Sequence, residues 1–296
     1  MSHPHLSLSV ERNPETEGIF HRPLKDLPII GSLYGRVPDA SDKSLRELAS
    51  RLADPDALAR LPGRIDQARR EVQVAAFLRS VGHRALDDGR QLSILQIGAN
   101  DGVTQDSMGQ HIRRFGWDAI LVDANPTVIP DLEANYANCG KVHIVNAAIG
   151  PENGQTPFYV PTGDAPELAK MYSSMDKRSF YENAHHVPGF DPDTMIEELI
   201  VPMKTSETVL EEHGFGDPYL LATDVEGYDG KILETFPWDE FRPGVVYFEH
   251  CNIGDGQREY VYEMLEGHGY DLRHLARDTL GVHHDSDGNR ALLTTL

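Results

Sequence analysis

An α/β fold built on a mostly parallel sheet is what the sequence predicts, and three observations predict it. Leu92–Gly102 reads LSILQIGANDG, an apolar run that ends directly in a turn framed by glycines. Asp123 stands 21 residues after Gly102, at the end of the next apolar run in AILVDANP. A third run, Tyr219–Thr223, ends in Asp224-Val225-Glu226-Gly227. Short apolar runs that alternate with helix-length segments are strands of a sheet covered on both faces.

Each element follows in order. Met1 to roughly Pro38 is rich in proline, histidine and charge without a sustained period, the pattern of an extended or disordered leader over 1–40. Apolar residues then recur at helical spacing from Ser41 to Leu61 (Leu45, Leu48, Leu52) and from Ile65 to Val81 (Val72, Ala76 with Phe77, Val81). This predicts a helical N-terminal extension over 41–90 that packs against the sheet, with a lid or a homodimer interface as alternatives. The main domain occupies 91–296. Its first strand is Ser93–Ile97. Gly98 and Gly102 let the chain turn sharply, and Asp106 or Ser107 caps a helix that runs to Phe115 and stops at Gly116.

Ala119–Val122 is the second strand, Asn125-Pro126 opens a helix over Leu132 and Tyr136 to Gly140, and Val142–Val145 is the third strand. Residues of about 154–203 break the alternation, with a strand at Phe158–Val160. Such an insertion is expected to cover a site at the sheet edge. Regularity returns with a helix at Thr205–His213, a fourth strand at Tyr219–Thr223, a helix at Lys231–Phe236 and a fifth strand at Val245–Phe248. Tyr270–Leu275, Leu280–His283 and Ala291–Thr294, around the turn Asp287-Gly288-Asn289, supply hairpin material for an antiparallel close.

The strand ends carry the chemistry. An acidic side chain at the end of the second strand is placed to accept both hydroxyls of a ribose, so Asp123 reads as a ribose clamp, with Ala124 and Asn125 beside it. A dinucleotide fingerprint needs G-x-G-x-x-G, and here its second and third glycine positions hold Asn100 and Val103. S-adenosylmethionine has no phosphate and wants polar groups instead. The loop Gly98-Ala99-Asn100-Asp101-Gly102 suits it better, and the small Asn146-Ala147-Ala148 can lie against an adenine. Asp224 and Glu226 alternate at the same sheet edge, with Glu249 and His250 ending the fifth strand. In the insertion, Tyr172, Ser173, Ser174 and His185 are candidate acceptor contacts. Against His185, adjacent side chains of His185-His186 point apart in an extended segment and solvent exposure competes with function.

Composition narrows the partners. Lys+Arg 27 against Asp+Glu 47 gives a net charge of −20 in 296 residues, which repels nucleic acid and anionic membranes. The 2 cysteines, Cys139 and Cys251, form neither a disulfide framework nor a zinc motif, and no apolar stretch reaches membrane-spanning length. The expectation is a cytoplasmic protein that acts on a small-molecule or glycan acceptor, with no nucleic acid, no membrane and a possible homodimer.

Taken together, LQIGANDG, LVDANP, NAAIG, LLATDVEGYDGKILETF and VVYFEH, in this order and spacing, resemble the FkbM-type methyltransferases over roughly Leu92 to Gly281. The Asp-Val-Glu-Gly segment joined to the Gly-Ala-Asn loop is the most specific part. The resemblance implies a class I methyltransferase (Rossmann-like) fold, whose seven-stranded, mostly parallel sheet closes with an antiparallel C-terminal strand. It also implies S-adenosyl-L-methionine as methyl donor and most often O-methylation of a sugar or natural-product hydroxyl. Gln96 stands where many members carry an acid; its amide still hydrogen-bonds the cofactor's ammonium but lacks the charge. For the reaction, Glu226 and His250 are candidate bases and Asp224 orients cofactor or acceptor. Glu226 has a competing role as a cap of the helix that begins near Asp229. Asp224, Glu226, Glu249 and His250 as ligands of a divalent cation form a metal-assisted variant, while the reaction is expected to need no metal. A dinucleotide-dependent oxidoreductase and a non-catalytic methyltransferase-like scaffold are the alternative functions.

Overall fold

The computed structural model describes residues 62–286 apart from 105, 167–168, 170–171, 184–186 and 276. The leader, the predicted helix over 41–61, His185 and the segment 287–296 therefore lie outside the described residues. The chain divides into two compact units, Met1–Ala68 and Arg69–Leu296. Both sheets belong to the second.

In chain order the described elements are α1 (Pro62–Asp87), β1 (Ser93–Ile97), α2 (Gly109–Phe115), β2 (Asp118–Asp123), α3 (Ile129–Tyr136), β3 (Val142–Asn146), β4 (Ala148–Ile149) and β5 (Gly154–Pro161). They continue with α4 (Arg178–Asn183), β6 (Ile196–Lys204), α5 (Ser206–Glu212), β7 (Leu220–Thr223), α6 (Asp229–Thr235), β8 (Val245–Glu249), α7 (Asp255–Gly267), β9 (Tyr270–His274) and β10 (Asp278–His283). Seven strands form the main sheet in the order β3-β2-β1-β7-β8-β10-β9. The pairs from β3 to β8 are parallel, and β10 alone runs against both its neighbours.

This sheet forms because its strands are apolar on both faces. Ile94, Leu95, Ile120, Leu121, Leu220 and Leu221 are all buried to within 1%. Val74, Phe77, Leu78 and Val81 of α1 pack on one face with Met108, Ile112 and Leu132, while Val209, Leu210, Ile232, Leu233, Val261 and Leu265 cover the other. Helices on both faces are what a parallel sheet requires. Of the apolar positions read on α1, Phe77 and Val81 are buried and Ala76 is exposed.

Several boundaries differ from expectation. A hairpin turns between His274 and Asp278, and the turn expected at Asp287-Gly288-Asn289 lies outside the described residues. The insertion strand runs over Gly154–Pro161 and pairs along its whole length with β6, so that β4, β6 and β5 make a second, three-stranded sheet. Its core is small: Ala148, Phe158, Val160 and Val201. β6 escapes a sequence reading because its partner supplies the burial, and only Val201 of its nine residues is buried. Helix α2 starts at Gly109, later than expected, because the Asp106 carboxylate takes the N–H groups of Met108 and Gly109 at 2.8 and 3.0 Å. Its end is as read: Gly116 is left-handed (φ 64°). Helix α7 was not foreseen.

Candidate active site

The strand order reverses between β1 and β7, the switch point at whose carboxyl edge an open α/β sheet binds its ligand. There the loops after the two strands interlock. Asp224 N–H donates to the Ile97 carbonyl at 3.0 Å, and Gly98 N–H donates to the Val122 carbonyl at 2.9 Å. A side chain at Gly98 (φ 84°) would put its Cβ 1.8 Å from the Asp224 carbonyl oxygen. Only glycine lets the loops meet so closely. An open depression lined by Arg90, Asp217, Tyr219, Arg242 and His283 lies instead at the amino ends of β1, β7 and β8 and contains none of the predicted site residues.

On the β1 side, Asn100 holds a left-handed backbone (φ 49°) and its N–H donates to Asp123 Oδ2 at 2.7 Å. Asn125 N–H donates to Asp123 Oδ1 at 2.8 Å. Burial pushes the Asp123 pKa up to about 6 against these two donors. Each oxygen retains a lone pair for a hydroxyl donor. Gln96 is 6% exposed; its Oε1 is buried with no partner among the described residues. That orphaned acceptor fits a ligand bearing an N–H donor, and the Asp123 carboxylate fits a ribose.

The other predicted cofactor residues divide. Asp101 accepts from Val103 N–H, Thr104 N–H and the Thr104 hydroxyl, which commits its carboxylate to the turn. Ala99 and Ala147 are each 1% exposed and belong to the core on opposite faces, so they offer a ligand no side-chain surface. Ala124 packs against the core of the second sheet. Asn146 Nδ2 donates to the Asp123 carbonyl at 2.9 Å and thereby ties the ends of β2 and β3 together. Gly102 (φ 71°) lies against Tyr136 and Leu132, and its carbonyl accepts from Arg113 at 2.9 Å.

On the β7 side, Glu226 is left-handed (φ 53°), an unfavourable state for a glutamate that the surrounding structure must hold in place. Asn252 Nδ2 donates to Glu226 Oε2 at 3.1 Å and to Glu249 Oε2 at 2.7 Å, and Arg277 donates to Glu249 Oε1 at 2.8 Å. Burial, then the Glu249 charge, pushes the Glu226 pKa up to about 8. The Asp224 side chain reaches solvent, yet it is densely surrounded; desolvation followed by Glu249 and Glu226 raises its pKa well above the ordinary carboxylate value. Asp229, fully buried, accepts from the Thr223 hydroxyl at 2.6 Å and from Val225 N–H at 3.3 Å; burial pushes its pKa up to about 7. Asp229, not Glu226, therefore steadies the entry to α6, and the capping role expected of Glu226 is not what its carboxylate does.

The structure brings Asp224, Glu226 and Glu249 together and places His250 in another group. Its Nδ1 lies 2.9 Å from the Thr279 hydroxyl, and its ring neighbours Tyr262 and His274. Burial and then Arg258 lower its pKa to about 4. Among the described residues no three His, Cys, Asp or Glu side chains are placed to hold a metal ion.

The insertion reaches over this edge. Asn125 Nδ2 donates to the Ser173 hydroxyl at 3.4 Å, and the Ser174 hydroxyl donates to the Glu226 carbonyl at 3.4 Å. Ser174 is anchored by paired backbone bonds to Tyr159 of β5. Burial and then the Glu226 charge raise the Tyr172 pKa. Residues 172–174 thus bridge the loops after β2 and β7. Asn252 and Arg277 were missed by sequence reasoning; neither sits in a motif, and only the strand ends nearby pointed to them.

This sheet order with one antiparallel strand, the ligand edge at its switch point and the acidic residue closing β2 define a class I methyltransferase fold. The chain belongs to the methyltransferase FkbM domain family, which residues 96–272 match. No curated protein matches the chain. Among solved structures it is similar to the methyltransferase FkbM from Methylobacillus flagellatus, at 12% identity and TM-score 0.41, covering 65% of this chain and 44% of that one. It is also similar to the SAH-bound methyltransferase PaMTH1 of Podospora anserina, at 11% identity and TM-score 0.38, covering 95% and 100% of the two chains. A precorrin-6y C5,15-methyltransferase from Geobacter metallireducens matches at 13% identity and TM-score 0.32, covering 62% of this chain and 65% of that one. The chain thus spans less than two thirds of two of these three structures. Among the described residues no helix is long and apolar enough to cross a membrane.

Proposed function

We propose that the protein transfers a methyl group from S-adenosyl-L-methionine to a hydroxyl of a small-molecule or glycan acceptor. Family membership supports the methyl transfer and its donor. The observation that carries the acceptor chemistry is Glu226: a carboxyl held in a left-handed backbone, its pKa raised to about 8, beneath a polar strap of inserted residues. When bound, the donor supplies an electrophilic methyl on a sulfonium sulfur. Asp123 takes the ribose hydroxyls, the Asn100 and Asn125 backbone holds Asp123 in place, and Gln96 Oε1 takes the ammonium.

Glu226 is the general base. Asn252 holds its Oε2, so Oε1 would receive the hydroxyl proton as the acceptor oxygen takes the methyl group, the methyl–sulfur bond breaking to leave S-adenosylhomocysteine as a neutral thioether. A base with its pKa near the working pH combines an available ionised form with useful basicity. Glu249, paired with Arg277, and Asp224 line the recess with carboxyl groups, whose mutual repulsion would only grow with an anionic acceptor. Tyr172, Ser173 and Ser174 orient the acceptor, since in-line geometry supplies most of such an acceleration. His250 at a pKa of about 4 is a weak base bonded elsewhere and supports the wall of the site.

The test is mass-spectrometric detection of methyl transfer from S-adenosylmethionine across a panel of sugars, glycosides and hydroxylated metabolites, beside amines and carboxylates. O-methylated product lost in Glu226→Gln supports the reading. N- or C-methylated product alone, or donor binding without transfer to any member of a broad panel, removes it.

A further inference from the structure

Under the loop Gly98–Gly102 lies a polar pair that the reaction above leaves unexplained. Gln96 Nε2 donates to Asp106 Oδ1 at 3.0 Å, while Gln96 Oε1 is buried without a partner among the described residues. A buried carbonyl oxygen with no donor is costly, so the position is expected to serve a group outside the described chain. An ionised carboxylate only accepts, so Asp106 binds the NH₂ end of the amide and fixes Oε1 as the free end. Asp106 is itself held by the N–H groups of Met108 and Gly109. The nearby cation, Arg113, is engaged elsewhere: it donates to the Gly102 carbonyl at 2.9 Å and lies 5.0 Å from the Tyr136 ring centroid. Burial raises the Asp106 pKa and the field of Arg113 works against that rise; the carboxylate lies behind the amide with no direct ion pair among the described residues.

We propose that Asp106 acts through Gln96 to hold the ammonium group of the methyl donor: it orients the amide so that Oε1 accepts from the ammonium, and it provides the negative charge that a glutamine lacks. Asp106 is a positioning residue in this scheme, and the scheme rests on the S-adenosylmethionine reading above. Its competing role is purely that of a cap for the start of α2. The two roles differ in what they do to a ligand: a cap affects every ligand of the loop alike, whereas an ammonium partner affects only a ligand that carries the ammonium.

Two ligands separate them by isothermal titration. S-adenosylhomocysteine carries the amino-acid end, and 5′-methylthioadenosine keeps the nucleoside and thioether without it. Asp106→Asn and Gln96→Leu are expected to lose about tenfold or more in affinity for the first and less than about twofold for the second. The double variant Gln96→Glu/Asp106→Asn moves the carboxylate to position 96 and regains most of the lost affinity. If Asp106→Asn does not fold, Gln96→Leu and the double variant carry the same comparison. Equal losses for both ligands, no loss, or a folded double variant without recovery overturns the proposal and leaves Asp106 as a cap. Wild-type protein that binds neither ligand overturns the S-adenosylmethionine reading itself.

Discussion

Asp123 and Glu226 are among the carboxylates whose surroundings oppose their charge, and for each of these two the opposition can be measured. Asp123 is pushed up to a pKa of about 6 by burial. A ribose clamp must accept from hydroxyls, so affinity for S-adenosylhomocysteine should fall as pH drops through about 6, and Asp123→Ala should weaken it about tenfold or more at pH 7.5. Titration at several pH values checks this; a pH-independent affinity removes Asp123 from the ribose. Burial holds the Glu226 pKa up at about 8 in the folded chain, whereas the unfolded chain releases that proton near the ordinary glutamate value of 4.5. Between those values the unfolded state binds fewer protons, so this group lowers stability as pH rises. Glu226→Gln should therefore raise the thermal midpoint at pH 8 and have its smallest effect near pH 4.5. The same change should lower methyl transfer roughly 10²- to 10⁴-fold, and the wild-type rate should climb as pH rises through about 8. A midpoint that does not move, with activity retained, means that Glu226 is neither strained nor the base.

The loops after β1 and β7 behave as one element although 125 or so residues separate them in sequence. Gly98→Ala would drive a Cβ to 1.8 Å from the Asp224 carbonyl oxygen at a φ of +84°. The backbone must move, which should cost about 3 kcal/mol in urea unfolding and misplace both halves of the site. An alanine variant of native stability would show that the loops are free to part. Much of this level was legible in the residues. Ser93–Ile97, Asp118–Asp123 and Leu220–Thr223 are strands within one residue of where apolar runs and flanking turns put them. The second sheet was not, because β6 gains its order by pairing with β5 rather than from its own alternation.

For the whole molecule, the decisive quantity is the net charge of −20. Self-repulsion of that size destabilises the compact state and is screened by salt, so the thermal midpoint should rise between about 0.05 and 0.5 M NaCl. Gel-shift titration with RNA and DNA at low salt should show no complex, and a complex that weakens steeply with salt would instead make a polyanion the acceptor.

The sequence by itself determined the sheet, its ligand edge and the identity of the acids at the strand ends, because strand periodicity, glycine turns and charge are local properties of the chain. The tertiary structure decided which of those acids work together. It joined Glu226 to Glu249 through Asn252, drew His250 to Thr279 and turned Asp101 into its own loop. It also bonded Gln96 to Asp106. The bonds Gln96–Asp106, Glu226–Asn252 and His250–Thr279 join side chains 10, 26 and 29 residues apart in the chain, and hydrogen-bond reach across a fold leaves no period in a sequence.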